Sequence, residues 1–222
     1  MYISDGSTYY FDTSLKDSIK VSSRSFSFLL PGGYGTYPKN LNSFYAVSGS
    51  SVYHYYKTKD SYDSEKIASS VSDARLSADG KTLIYQDDDE IVKLPLSGLK
   101  AKETTVAENV LSSYYYSFRC DPSLKNIYYV DDDYELRYAS KNGKKIASDV
   151  DSFFVNDKGL CVFITDDGDL YYSSKGGSKN KITGISDAEY LAFQDGIFYV
   201  GTDDDVLYIS KDGKKFTKSY EF

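Results

Sequence analysis

Apolar residues in this chain come in short runs separated by polar turn signals, and the order of runs and turns repeats. Residues 155–187 (VNDKGLCVFITDDGDLYYSSKGGSKNKITGISD) and 192–219 (AFQDGIFYVGTDDDVLYISKDGKKFTKS) share one reading. Each is strand, Asp/Gly turn, apolar strand, Asp-rich turn, aromatic strand, Lys/Gly turn and final strand. The same order runs through 75–110 and 117–150, with weaker copies at SFSFLLPGG and at the opening YISDGSTYYF. The residues that follow the second turn, Thr8, Val52, Ile91, Leu136, Leu170 and Leu207, recur about every 40 positions, the period of four short strands with their turns.

DDG, DDD, KDG and NG turns between apolar runs are strong hairpin signals. No segment sustains a 3.6-residue apolar period bounded by caps. The chain is therefore expected to be all-β with almost no helix: a single β-propeller domain of about six blades, each of four short antiparallel strands, A to D. The first copy lacks strand A, which leaves about 23 strands. Blade limits fall near 1–23, 24–71, 72–110, 111–150, 151–187 and 188–222. Closing a ring would need the partial first blade beside the last, and an open arc or a truncated seven-blade ring fits the same pattern.

The stretch LSADGKTLIYQDDDEIVKLPLSG (76–98) resembles the TolB-type, WD40-like propeller repeat, in which Ser-Pro-Asp-Gly-Lys precedes an apolar strand, a polar turn, an Ile-Tyr strand and a Gly pair. Ser77, Asp79, Gly80, Lys81 and the region of Gly98 carry the match, and Ala78 stands where Pro is usual. Asp121, Pro122 and Asn126, then Asp157, Lys158 and Gly159, are looser versions. The resemblance implies a propeller used as a binding platform, sometimes appended to an enzyme, and leaves the ligand open. Ser210, Asp212, Gly213 and Phe216 approach a sialidase-type Asp-box but lack one residue between Asp and Gly.

Composition agrees with strands: 24 Tyr and 12 Phe suit a pleated, half-buried surface. A net charge of -7 disfavours a phosphate backbone or an anionic membrane, so no nucleic-acid partner is expected. The chain has no apolar run of membrane-spanning length, and its first residues lack the basic and apolar regions of an export signal. Met1 leads directly into a strand pattern, which leaves room for an upstream export signal or anchor. With such a segment the expected location is the envelope or the outside of the cell. Cys120 and Cys161 do not make a disulfide framework, and two separate buried thiols are expected.

Charge follows the turns. Asp87, Asp88, Asp89 and Glu90; Asp131, Asp132 and Asp133; Asp166, Asp167 and Asp169; and Asp203, Asp204 and Asp205 occupy the B/C turns. Asp73, Glu108, Asp149, Asp151, Asp187 and Glu189 fall at the D/A connections, which share a face with the B/C turns in a propeller. Lys141, Lys144, Lys145, Lys175, Lys179, Lys181, Lys211, Lys214 and Lys215, with Lys100 and Lys102, mark the C/D turns of the opposite face. One acidic and one basic face are expected. The acidic face suits a cationic ligand, a basic peptide or Ca²⁺, although Asp and Lys also suit tight turns and a soluble surface.

No cofactor or metal set is expected. Adjacent Asp side chains in a tight turn diverge, whereas Ca²⁺ needs six to eight converging oxygens. His54 is the only histidine and has no zinc-spaced companion, and no Gly-x-Ser-x-Gly elbow exists. Residues 31–42, PGGYGTYPKNLN, are the largest departure from the repeat, and their Tyr34 and Tyr37 are candidates to stack on a sugar or peptide. Arg75, Arg119 and Glu189, charged members of the innermost A strands, complete the ligand-binding candidates. Most other aromatics, Tyr114, Tyr115 and Tyr116 among them, read as packing between blades. The expected function is a non-enzymatic binding or scaffolding module for protein, peptide or carbohydrate within a larger envelope or secreted protein. The alternative is a carbohydrate-active hydrolase or lyase with paired acids in the central funnel.

Overall fold

The computed structural model describes residues 1–12, 16–30, 41–59, 61–96, 102–112, 117–140 and 143–221; Tyr34, Tyr37, Lys100, Tyr114 to Tyr116 and Lys141 lie outside them. The described residues form strands and turns and no helix, in six antiparallel sheets whose strands neighbour one another in chain order. The first sheet has three strands, β1 (Tyr2–Ser4), β2 (Ser7–Asp12) and β3 (Asp17–Ser22). The second has β4 (Phe28–Leu29), β5 (Ser43–Ser48), β6 (Ser51–Lys57) and β7 (Tyr62–Ser69). The third has β8 (Val71–Leu76), β9 (Thr82–Asp87), β10 (Glu90–Pro95) and β11 (Thr104–Ala107). The fourth has β12 (Phe118–Cys120), β13 (Ile127–Val130), β14 (Leu136–Tyr138) and β15 (Lys144–Ala147). The fifth has β16 (Val150–Val155), β17 (Leu160–Thr165), β18 (Leu170–Ser174) and β19 (Asn180–Lys181). The sixth has β20 (Ala188–Gln194), β21 (Ile197–Thr202), β22 (Val206–Ser210) and β23 (Thr217–Glu221).

The chain divides into two compact units, residues 1–88 with 92–104 and residues 89–91 with 105–222. In the first unit, Val21 packs with Phe44, Ala46 and Tyr55, while Val47, Val52 and Ala68 pack against Val71, Ala74 and Leu83. In the second unit β17 shows why strand B reads as an unbroken apolar run. Successive side chains point to opposite faces, so Cys161 and Phe163 pack with Tyr128 and Val130, while Leu160, Val162 and Ile164 pack with Leu191, Phe198 and Val200. Burying one such side chain contributes about 1.5–3 kcal/mol.

Two irregularities recur. Between strands C and D the register slips just after Val52, Leu136 and Leu207, and in the first sheet just after Thr8. Four of the residues that align the repeat therefore mark one structural position. Thr8 lies in a strand C, β1 is a strand B, and strand A is the one that the first sheet lacks. Between strands A and B the register slips at Val71/Asp73, Val150/Ser152 and Ala188/Tyr190, which leaves Ser72, Asp151 and Glu189 as the extra residue of a bulge.

Neighbouring blades of the second unit interlock through tight turns. Gly213 has φ 70°, and a Cβ there would stand 2.5 Å from Leu160 Cδ2. The Gly176 N–H donates to Tyr128 Oη at 2.9 Å, and the hydroxyl of Tyr128, a fully buried residue, reaches the Ser173 carbonyl at 3.3 Å. Burial pushes the Tyr128 phenol up to about 12.

Candidate functional site: an acidic cleft on the turn face

The B/C turns of the fourth, fifth and sixth sheets, Asp131–Glu135, Thr165–Asp169 and Thr202–Val206, match position by position. The fourth residue of each is left-handed: Tyr134 (φ 58°), Gly168 (φ 71°) and Asp205 (φ 57°). Its N–H donates to the carbonyl of the first, at 3.0, 2.8 and 3.1 Å respectively. The D/A connections meet these turns through a second left-handed residue, Asn109 (φ 57°), Asp149 (φ 53°) or Asp187 (φ 54°). The carbonyls of these residues accept from Asp132 N (3.1 Å), Asp166 N (2.9 Å) and Asp203 N (3.1 Å). The next amide along the chain ties back to the preceding blade: Val110 N–H to Asp89 O at 2.8 Å, and Ala188 N–H to Gly168 O at 2.9 Å. Asp and Asn tolerate the left-handed conformation better than most residues, so the geometry that locks the blades also gathers carboxylates on one face.

Between the fifth and sixth sheets this produces a cleft of about 460 Å³ lined by Asp151, Asp166, Asp167, Asp187, Glu189 and Asp203, with no Lys or Arg among the described residues of its wall. Asp166, Asp167 and Asp203 come from B/C turns and Asp187 from the connection. Asp151 and Glu189 are the bulge residues of the two inner strands. A bulge re-aims a side chain, and here it adds two acids that a regular ladder would place otherwise. All six are exposed. Such a cluster focuses a negative potential that draws cations. Asp204 and Asp205 share the turn of Asp203 but do not line the cleft.

The other acidic candidates serve the turns. Asp131 Oδ1 accepts from the amides of Asp133 (3.2 Å) and Glu135 (2.9 Å), and its Oδ2 pairs with Arg137 Nε. Arg137 also reaches Glu135 at 2.6 Å, and Glu135 pairs with Lys145. The carboxylate oxygens of Asp131, Asp132 and Asp133 lie within 4.8 Å of one another, but Asp131 is already engaged on both oxygens. Asp87, Asp88 and Asp89 close the β9–β10 hairpin, where Gln86 Nε2 donates to Asp88 O at 2.9 Å. Asp169 is bound by Lys181 at 2.6 Å, a hydrogen bond that holds its carboxyl below the usual range. Lys145 and Lys181, which the pattern assigns to the opposite face, thus pair with B/C-turn acids across strands C and D, and the separation of charge is incomplete.

Arg75 is committed to an ion pair with Asp73 and to the Ala74 carbonyl at 2.7 Å, within its own strand. Arg119 lies with its guanidinium 4.5 Å over the Phe154 ring rather than in the acidic cleft. Of the charged A-strand candidates only Glu189 lines it, joined by Asp151 and Asp187, whose signal was their place at the D/A connections.

The repeat motif is also turn chemistry. Ser77 Oγ donates to Asp79 at 2.6 Å and accepts from Lys81 N and Thr82 N. Asn156 and Asp121 do the same work in the next A/B turns, and Ser210 with Asp212 in a C/D turn. Burial opposes ionisation of Asp121, but hydrogen bonds from Ser123, Asn126 and Lys125 outweigh it and hold the carboxyl below its usual range. His54 lies stacked 4.6 Å from Tyr45, with Nε2 2.8 Å from Ser43 Oγ. Partial burial lowers its pKa against the opposing pull of Glu65. Cys120 and Cys161 are free thiols.

No family model and no curated protein sequence matches the chain. Among solved structures it is similar to Hsv2 of Kluyveromyces lactis, at 10% identity and TM-score 0.55, over 95% of this chain and 70% of that one. For Hsv2 of K. marxianus the values are 13%, 0.53, 87% and 64%. A chain of the S. cerevisiae assembly of Dbp5 bound to Nup159 and Gle1 gives 15%, 0.53, 80% and 58%. The chain thus spans less than two thirds of the last two. These likenesses show the fold, and the chain is a β-propeller protein. Among the described residues no helix is long and apolar enough to cross a membrane.

Proposed function

We propose that this propeller is a non-enzymatic binding or scaffolding module whose acidic cleft takes a Lys- or Arg-bearing segment of a protein partner. The observation that carries the reading is that six acidic residues, and no Lys or Arg among the described residues, line one cleft between the fifth and sixth sheets. The TolB-like motif at 76–98 supports a binding platform, and the reading includes a place for it in a larger envelope or secreted protein. The S. cerevisiae assembly supports a propeller that works among protein partners. A carbohydrate-active hydrolase is the weaker reading, because it needs one carboxyl raised by burial and the six acids of the cleft are exposed.

The test is calorimetric titration of a Lys-rich peptide into the wild-type chain and into the triple variant Asp151→Asn, Glu189→Gln, Asp203→Asn, at low and at high salt. Salt-sensitive binding that weakens at least about tenfold in the variant supports the reading. Equal binding by both proteins, or none by the wild type, overturns it.

A further inference from the structure

A second cleft, of about 700 Å³, lies between the end of β11 and the fourth sheet. Its described lining residues all belong to the second unit, and none of them lines the acidic cleft. Its size is that of a small-molecule site. Its wall holds an unmet hydroxyl. Tyr128 and Tyr129 are neighbours on β13 and point to opposite faces of the sheet. The Tyr128 hydroxyl is engaged by Gly176 N and the Ser173 carbonyl. Tyr129 is 3% exposed and lines the cleft, yet no described residue hydrogen-bonds its Oη. Gly143, at φ 56°, makes room for that oxygen, because a Cβ there would stand 2.5 Å from it. Buried polar groups nearly always have a partner, so this hydroxyl calls for one that enters the cleft.

The rest of the wall says what kind. Glu108, Asp132 and Asp133 line it and are exposed, and the Glu108 carboxylate makes no hydrogen bond or ion pair with a described residue. Burial pushes the Tyr129 phenol up, and Arg137 opposes that shift while Asp131 and Glu108 add to it, so the hydroxyl stays neutral within reach of their charge. Arg137 is the one cation among the described residues of the wall, and Asp131 and Glu135 neutralise it. The cleft therefore offers acceptors and negative charge. With both oxygens of Asp131 engaged, Asp132 and Asp133 fall short of the six to eight oxygens that Ca²⁺ takes. A quaternary ammonium needs open aromatic faces, and the Tyr129 ring is buried. A primary ammonium is a compact charge with three N–H donors, and it matches what the wall presents.

We propose that this cleft binds a small aliphatic primary amine, whose ammonium donates to Tyr129 Oη and to the Glu108 carboxylate. Asp132 and Asp133 hold further positive charge, such as the second ammonium of a diamine. The site is separate from the acidic cleft between the fifth and sixth sheets, so the two proposals stand or fall separately.

The probe is 1,5-diaminopentane, titrated calorimetrically into the wild-type chain at low salt beside the neutral 1,5-pentanediol. Saturable binding of the diamine, at least about tenfold tighter than the diol, is expected. Tyr129→Phe and Glu108→Gln should each weaken it at least about tenfold, and the triple variant of the other cleft should leave it unchanged. Because the Tyr129 hydroxyl has no partner among the described residues, Tyr129→Phe should also leave the thermal midpoint in place. Glu108→Gln alters an exposed side chain and still decides if Tyr129→Phe fails to fold. No binding by the wild type, equal binding of the diol, undiminished binding by either variant, or loss of binding in the triple variant would each overturn the proposal.

Discussion

The fifth and first blades are copies of one unit with opposite surroundings. In the fifth, every residue of β17 is buried, because β16 and β18 flank it and neighbouring cores press on both faces. In the first, strand B pairs on one side only among the described strands, and its exposed aliphatic residue, Ile3, occupies the position that Ile164 fills in β17. The same local pattern is core in one place and surface in the other. What a repeat buries is set by what borders it.

The sharpest way to break this comparison is the pair Ile164→Ala and Ile3→Ala. Truncating Ile164 should destabilise the chain by about 2–5 kcal/mol, and truncating Ile3 by less than about 0.5 kcal/mol, both read by urea denaturation. Similar losses would mean that the first blade is covered. Next is Gly213→Ala, which meets Leu160 Cδ2 and an unfavourable left-handed backbone; a loss of about 1–3 kcal/mol is expected. Tyr128→Phe strands the buried Gly176 N–H and should cost about 1–2 kcal/mol.

The turn caps give a smaller, pH-dependent effect. The folded Asp121 carboxyl titrates below its unfolded value of about 3.9. Its contribution is therefore full above about pH 4 and drains away as pH falls through the folded value. Asp121→Asn should flatten acid unfolding in that window, and an unchanged acid profile would remove the cap from the account. The smallest effect belongs to His54, whose folded pKa is depressed. Its share of stability is present above about pH 6.5 and declines on acidification, so His54→Gln should remove a shallow slope just below that pH.

Much of this architecture was legible in the sequence. Asp-rich hairpin turns and the spacing of Thr8, Val52, Leu136 and Leu207 marked the strands, and the missing strand A followed from the first copy being short. The acidic side chains of the B/C turns were legible too, because Asp suits such turns. Their sorting was not. Whether an Asp caps its own turn, as Asp131 does, or lines a cleft, as Asp166 does, depends on which residue opens the turn and on a bulge one strand away. Arg75 and Arg119 looked available as charged inner-strand residues, yet a neighbouring Asp73 and the Phe154 ring engage them. The pairing of Lys181 with Asp169 crosses two strands that the turn pattern treats as separate faces.

The most direct test of the binding role is to follow backbone amide shifts while a Lys-rich peptide is titrated into the chain. The account predicts changes concentrated at Asp151, Asp166 to Gly168, Asp187 to Glu189 and Asp203, and reduced by added salt. Shifts that leave these residues unmoved, or that spread evenly over the B/C turns of all blades, would contradict it.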